Sequence, residues 1–157
     1  MTFDKEEFAR QEDELDELYR EVILEHYHSP QNKGRLPAPS VSREGFNPLC
    51  GDEVNIDLDI RDGVIEDVRF DGRGCSISQS SASMMTEAIR GLSLTEAEDL
   101  FAKFQGMMQG SDRADPVALG DLESLSGVRK FPGRVKCATL SWHALDEAIR
   151  EYLESRG

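Results

Sequence analysis

Apolar residues recur at intervals of three and four near the start of the chain. Leu15, Leu18, Tyr19, Val22, Ile23 and His26 fall on one stripe, which predicts a helix from about Asp4 to His28. Ser29-Pro30 stops it, because proline disfavours helical dihedrals in the residue before it. Asn32, Gly34, Pro37 and Pro39 make residues 31–40 an extended loop. The period then drops to two. Ser42 to Pro48 reads as a short edge strand. Val54, Ile56, Leu58 and Ile60 alternate with Asn55, Asp57 and Asp59, Asp62-Gly63 marks a tight turn, and Val64 to Phe70 runs back. This predicts an antiparallel sheet with one covered face and one wet face.

Beyond Gly74 the helical period returns. Ile77, Ser81, Met84, Met85, Ala88 and Ile89 mark a helix that opens on serines and ends at Gly91. Ser93 with Glu96, and Thr95 with Glu98, both have capping-box spacing ahead of a further helix on Ala97, Leu100, Phe101, Phe104 and Met108. Phe101, Phe104, Met107 and Met108 read as core. Ser111 to Pro116 reads as a loop, Leu119 to Leu125 as one or two helical turns, and Phe131-Pro132-Gly133 as irregular. The last helix is expected from about Ala138 to Glu154, with Leu145, Ala148, Ile149, Tyr152 and Leu153 facing inward. Neither a repeat nor a linker divides the chain, so residues 1–157 are expected to form a single domain, with residues 1–13 a charged extension prone to fraying.

Charge narrows the partners. Lys and Arg number 18 against 31 Asp and Glu, a net charge of −13, much of it crowded at the N-terminus. So acidic a surface repels phosphate backbones and anionic lipid, which argues against nucleic acid and membrane as partners and suits a partner with a basic face. No apolar run approaches the roughly 18 residues of a membrane span, and the acidic N-terminus lacks the apolar region of a signal peptide. Three cysteines are an odd count, against a secreted disulfide framework and in favour of a reducing cytoplasm.

The cysteines stand where element types change. Cys50 and Asp52 flank a glycine just before a strand, Cys75 follows Gly74 just before a helix, and Cys137 stands at or near the start of the last helix. Helix N-termini offer free N–H groups and a positive dipole end, which favour a thiolate. Three thiolates with one carboxylate suit Zn²⁺, and they also suit a small iron–sulfur cluster. The plainer alternative is three small buried apolar residues, and spacing alone leaves both open. The histidines are poorer candidates: His26 lies on the apolar stripe, His28 is expected in solvent, and His143 sits nearly opposite Cys137 on its helix.

Taken together, Leu18-Tyr19, His26-Tyr27, Ser29-Pro30-Gln31-Asn32, Asn47-Pro48-Leu49-Cys50-Gly51-Asp52, Gly72-Arg73-Gly74-Cys75-Ser76-Ile77-Ser78 and Arg134-Val135-Lys136-Cys137-Ala138-Thr139-Leu140 resemble the IscU/NifU-like iron–sulfur cluster assembly family, from about Leu15 to Leu153. Two departures point to its SufU branch. Lys136 stands where scaffold-type members carry a histidine, and Lys130-Phe131-Pro132-Gly133-Arg134 replaces their Leu-Pro-Pro-Val-Lys chaperone motif. Leu92 to about Asp115 is similar to that branch's insertion. The resemblance implies an α+β fold, a small antiparallel three-stranded sheet packed against helices (IscU/SufE-like), with the site at one end. It implies a zinc-dependent sulfurtransferase that takes persulfide sulfur from a PLP-dependent, SufS-like cysteine desulfurase and serves downstream iron–sulfur assembly components in the cytoplasm. Zn²⁺ would sit in Cys50, Asp52, Cys75 and Cys137, with Cys50 the sulfur acceptor and Arg134 a contact for the desulfurase. Two alternatives remain: a non-enzymatic scaffold carrying a transient [2Fe–2S] cluster on the same ligands, and a structural zinc domain acting as an interaction module.

Overall fold

The computed structural model describes residues 5–110 and 119–156, with side chains from Glu17 onward. At Asp62-Gly63 both residues take positive φ, 53° and 76°, and fold two ten-residue strands into a hairpin. The three strands are β1 (Val41–Asn47), β2 (Asp52–Arg61) and β3 (Val64–Arg73), antiparallel in the order β1-β2-β3. Val54, Ile56, Leu58, Val68 and Phe70 form the inner face, which is buried. Helices α2 (Ser76–Ile89) and α4 (Pro132–Arg156) cover it. Helix α3 (Leu94–Met108) joins this core through Trp142, whose ring stacks on Phe104 at 4.8 Å and on Phe101 at 6.0 Å. Phe104, Met107 and Met108 are buried, as expected.

The outer face is not uniformly wet. Asp57 is fully buried there, because the loop between α1 (Lys5–His28) and β1 folds over it. Its carboxylate accepts hydrogen bonds from Arg35 Nε (2.8 Å), Leu36 N (3.0 Å), Ser42 Oγ (2.6 Å) and Asn55 Nδ2 (2.9 Å). Burial alone would raise the Asp57 pKa, but these donors outweigh it and hold the carboxyl below its ordinary value. The same loop runs along the free edge of β3, where Gly34 N–H reaches Phe70 O at 2.8 Å and Phe70 N–H reaches Asn32 O at 3.1 Å.

Other expectations are corrected in detail. Leu18 is 58% exposed, so the packed stripe of α1 begins further on, with Val22 and Ile23 half-buried and His26 buried. His26 is a structural residue: Nε2 pairs with Asp121 at 3.2 Å and Nδ1 with Ser83 Oγ at 2.8 Å. Ser83 Oγ also accepts Gln31 N–H at 2.8 Å, which ties the end of α1 and the loop after it to α2. His28 and His143 are exposed. Of the two possible capping boxes at α3, Ser93 with Glu96 forms. The turns expected over Leu119 to Leu125 are a 3-10 helix, Gly120–Lys130. Leu119, Leu122, Leu125 and Val128 are spaced by three, which in a three-residue-per-turn helix stacks them in one buried row. Helix α4 starts at Pro132 rather than near Ala138, and its Leu153 is 49% exposed rather than inward. The expected loop at Ser111 to Pro116, Leu15 and the fraying of residues 1–13 fall on residues, or on side chains, outside those described.

Candidate metal centre

Asn47, the last residue of β1, pairs across the sheet with Asp52, the first of β2. Residues 48–51 must therefore double back within one tight turn. Gly51 N–H bonds to Asn47 O at 2.8 Å, and Leu49 N–H bonds to the Asn47 side-chain Oδ1 at 3.2 Å. Cys50 rides exposed on this turn. At the same end of the sheet β3 gives way to α2. Cys75 is the N-cap residue of α2, its Sγ accepting Ser78 N–H at 3.5 Å. Its own N–H donates to Asp52 Oδ1 at 3.0 Å. Gly74 makes this approach possible: a Cβ there would lie 2.5 Å from Asp52 Oδ1 and 2.4 Å from Ser78 Oγ.

The third cysteine arrives from α4. Because that helix begins at Pro132, Cys137 sits in its second turn and not at its N-terminus. The expected position at a helix N-terminus thus holds for Cys75 and not for Cys137. Burial instead pushes the Cys137 thiol up strongly, and the neighbouring Asp52 carboxyl and Cys50 sulfur reinforce the shift. Cys137 Sγ lies 3.3 Å from Cys50 Sγ, and Asn47 Nδ2 is 3.8 Å from Cys137 Sγ.

Ligand atoms of Cys50, Asp52 and Cys137 lie within 4.8 Å of one another. Cys75 stands beside this group and not within that limit of all three, held to it through Asp52. Asp52 is fully buried, and its Oδ2 has no hydrogen-bond partner among the described residues. Arg134 faces the sulfurs. Attraction to Cys75, a hydrogen bond to the same residue and then attraction to Cys137 push its guanidinium pKa up. Lys136, two residues on, is exposed. An open cleft of about 520 Å³ exposes Cys50 and Cys75 between Leu49, Phe131, Pro132, Gly133 and Arg134, with Leu49 and Phe131 strongly exposed at its lips. The residue the sequence reading left without a role is Asn47. Its signal was present, since an asparagine that ends an alternating strand just before Pro48 is a turn former whose side chain caps the backbone two residues on.

These features define a small α+β protein with a cysteine–aspartate cluster gathered where its strands end. The chain belongs to the family described as the NifU-like N-terminal domain, whose pattern matches residues 18–157. It is 48% identical over 135 residues to the zinc-dependent sulfurtransferase SufU of Bacillus subtilis, covering 86% of this chain and 91% of that protein. It is 42% identical over 136 residues to the iron–sulfur cluster assembly scaffold protein IscU of Streptococcus pyogenes, covering 87% and 85%. The crystal structure of a nitrogen-fixing NifU-like protein (N-terminal) from Brucella abortus superposes with a TM-score of 0.81 at 26% identity, covering 89% of this chain and 97% of that one.

Proposed function

We propose that this chain is a zinc-dependent sulfur acceptor in iron–sulfur cluster assembly, with a cysteine desulfurase as sulfur donor. The observation that carries the proposal is the asymmetry of one cluster: an exposed cysteine, Cys50, 3.3 Å from a buried one, Cys137, beside a buried carboxyl oxygen that no protein donor meets. A buried acceptor without a donor is costly, and a cation removes that cost. Three sulfurs and one oxygen are also a donor set that Zn²⁺ accepts. The proposed ligands are Cys50, Asp52, Cys75 and Cys137. When bound, zinc keeps the sulfurs as thiolates at neutral pH.

The chain's own residues do the rest. Arg134 offsets the negative charge of the sulfurs and presents a cation to the donor protein at the cleft mouth. The apolar lips Leu49 and Phe131 give that partner a surface to cover. Cys50, on the turn, attacks the outer sulfur of the desulfurase's cysteine persulfide. A new S–S bond forms on Cys50, the donor's S–S bond breaks, and its electron pair leaves with the desulfurase cysteine as a thiolate. Cys50 then carries the persulfide, with no net oxidation or reduction.

Desulfurase turnover measured with and without this chain tests the proposal. Turnover should rise with the wild-type chain and return to the basal rate with Cys50→Ala or Asp52→Ala. Turnover unchanged by the wild-type chain would leave a structural module instead. The similarity to a protein named as a scaffold supports a second reading, a [2Fe–2S] cluster on the same ligands. Metal content after anaerobic purification separates the two: about one zinc per chain, or iron with visible colour.

A further inference from the structure

The three cysteines differ in what surrounds their sulfurs. Cys75 Sγ receives Ser78 N–H at 3.5 Å. Cys137 Sγ faces Asn47 Nδ2 at 3.8 Å, within the longer reach of a hydrogen bond to sulfur. Among the described residues no N–H reaches Cys50 Sγ. Its one hydrogen-bond contact is the Cys137 thiol, which is lost when both sulfurs are thiolates.

The Asn47 amide has one orientation open to it. Leu49 N–H needs an acceptor, which fixes Oδ1 on that side, and the NH₂ group must then face Cys137. The side chain is 5% exposed, so water is a poor substitute for either partner. A single amide therefore fastens the turn that carries Cys50 and donates to the sulfur of a different cysteine. An N–H donor withdraws charge from a thiolate, which weakens it as a nucleophile.

From this geometry we propose that Asn47 is the positioning residue that keeps Cys137 anchored and so leaves Cys50 as the sulfur that departs. This inference rests on the four-ligand centre proposed above. Cys75, which also opens onto the cleft, is met by Ser78 N–H, so with Asn47 on Cys137 each sulfur except that of Cys50 faces an N–H donor.

Two variants separate the contacts. Asn47→Asp is isosteric and keeps Oδ1 for Leu49 N–H, but it turns an oxygen toward Cys137. Asn47→Ser can still cap Leu49 N–H through its hydroxyl but is too short to reach the sulfur. Each is titrated with Co²⁺, followed by the sulfur-to-cobalt absorption band. The zinc-loaded form is then labelled with iodoacetamide and the modified cysteines are identified by mass spectrometry. Wild type should label at Cys50 alone. Both variants should bind cobalt about 10–100-fold more weakly, with a shifted band, and label at Cys137 as well. Native circular dichroism of the metal-free variants excludes unfolding, and Asn47→Ser carries the test should Asn47→Asp not fold. Cobalt binding within twofold of wild type, an unshifted band and labelling confined to Cys50 would overturn the role of Asn47 alone. A wild-type chain that binds no cobalt would overturn the centre, and the role of Asn47 with it.

Discussion

Asp52 presents an unusual combination: it is fully buried, one oxygen holds Cys75 N–H and the other holds nothing. Replacing it with asparagine should have opposite effects on stability with and without zinc. In the metal-free chain an unmet buried acceptor costs about 1–3 kcal/mol. Asp52→Asn keeps an oxygen for Cys75 N–H and puts an NH₂ group where Oδ2 stood, with the sulfurs of Cys50 and Cys137 nearby as acceptors. A gain of about 1–2 kcal/mol is expected. For a chain of 157 residues each kcal/mol moves the midpoint by roughly 2–4 °C, so the variant should melt about 2–8 °C higher in chelator.

Zinc reverses the order. A ligand at a thousand times its Kd adds about 4 kcal/mol to the form that binds it. A neutral amide oxygen is a much weaker zinc donor than a carboxylate, so the variant gains less of this and should melt below wild type. Thermal unfolding in EDTA and in excess zinc is the assay, and a crossing of the two pairs of midpoints is the expected result. Should Asp52→Asn lower the midpoint by the same amount in both conditions, Asp52 is a packing residue and not a ligand.

Three further outcomes are expected. Asp57→Asn should cost about 3 kcal/mol near pH 7, because three donors lose an ionised acceptor while Arg35, half-exposed, contributes little. A carboxyl whose folded pKa is depressed contributes stability above its unfolded value of about 3.9 and loses it as pH falls through the folded value. The gap between the two chains in urea unfolding should therefore narrow below about pH 4, and a gap as wide there as at pH 7 would refute the role given to the ionised carboxylate. Gly72→Ala should destabilise by about 3 kcal/mol or more, since Gly72 has φ 140° and a Cβ would meet Glu53 O at 2.1 Å, whereas Gly51→Ala, at φ 71° with open space around it, should cost only about 1–2 kcal/mol; equal losses would contradict the steric argument. Cys50→Ser should leave metal-free stability within about 0.5 kcal/mol of wild type, as for other exposed positions, while abolishing persulfide formation in a mass-spectrometric assay.

The helices and strands were legible because their periods are strong. Asp62-Gly63 carried the hairpin, and Ser93 with Glu96 carried the start of α3. Asp57 was misplaced because alternation tells only which face a residue is on, and here a loop more than fifteen residues earlier lies over the polar face. The start of α4 was placed too late because Phe131-Pro132-Gly133 looks like a break. Proline at the first helical position lacks only an N–H that would be unpaired there anyway, so the same residue that ends one element opens the next. The row at 119, 122, 125 and 128 has a period of three, and testing that period would have separated a 3-10 helix from ordinary helical turns.

The geometry of the candidate centre was not legible, because it lies in the register of the strands. Asp52 reaches Cys75 because Glu53 pairs with Arg73, which brings the beginning of β2 beside the end of β3. It reaches Cys137 because Asn47 pairs with Asp52 and because α4 begins a turn and more before its cysteine. Successive side chains on a strand point to opposite faces, so a slip of one residue would turn Asp52 to the outer face and send Glu53 inward. Two local devices hold the register. Asp62-Gly63 fixes the hairpin from its far end, and the Asn47 amide closes the turn at the site itself. The turn that positions Cys50 and the amide that faces Cys137 thus belong to one side chain, so the alignment of the sheet and the environment of the sulfurs are set together.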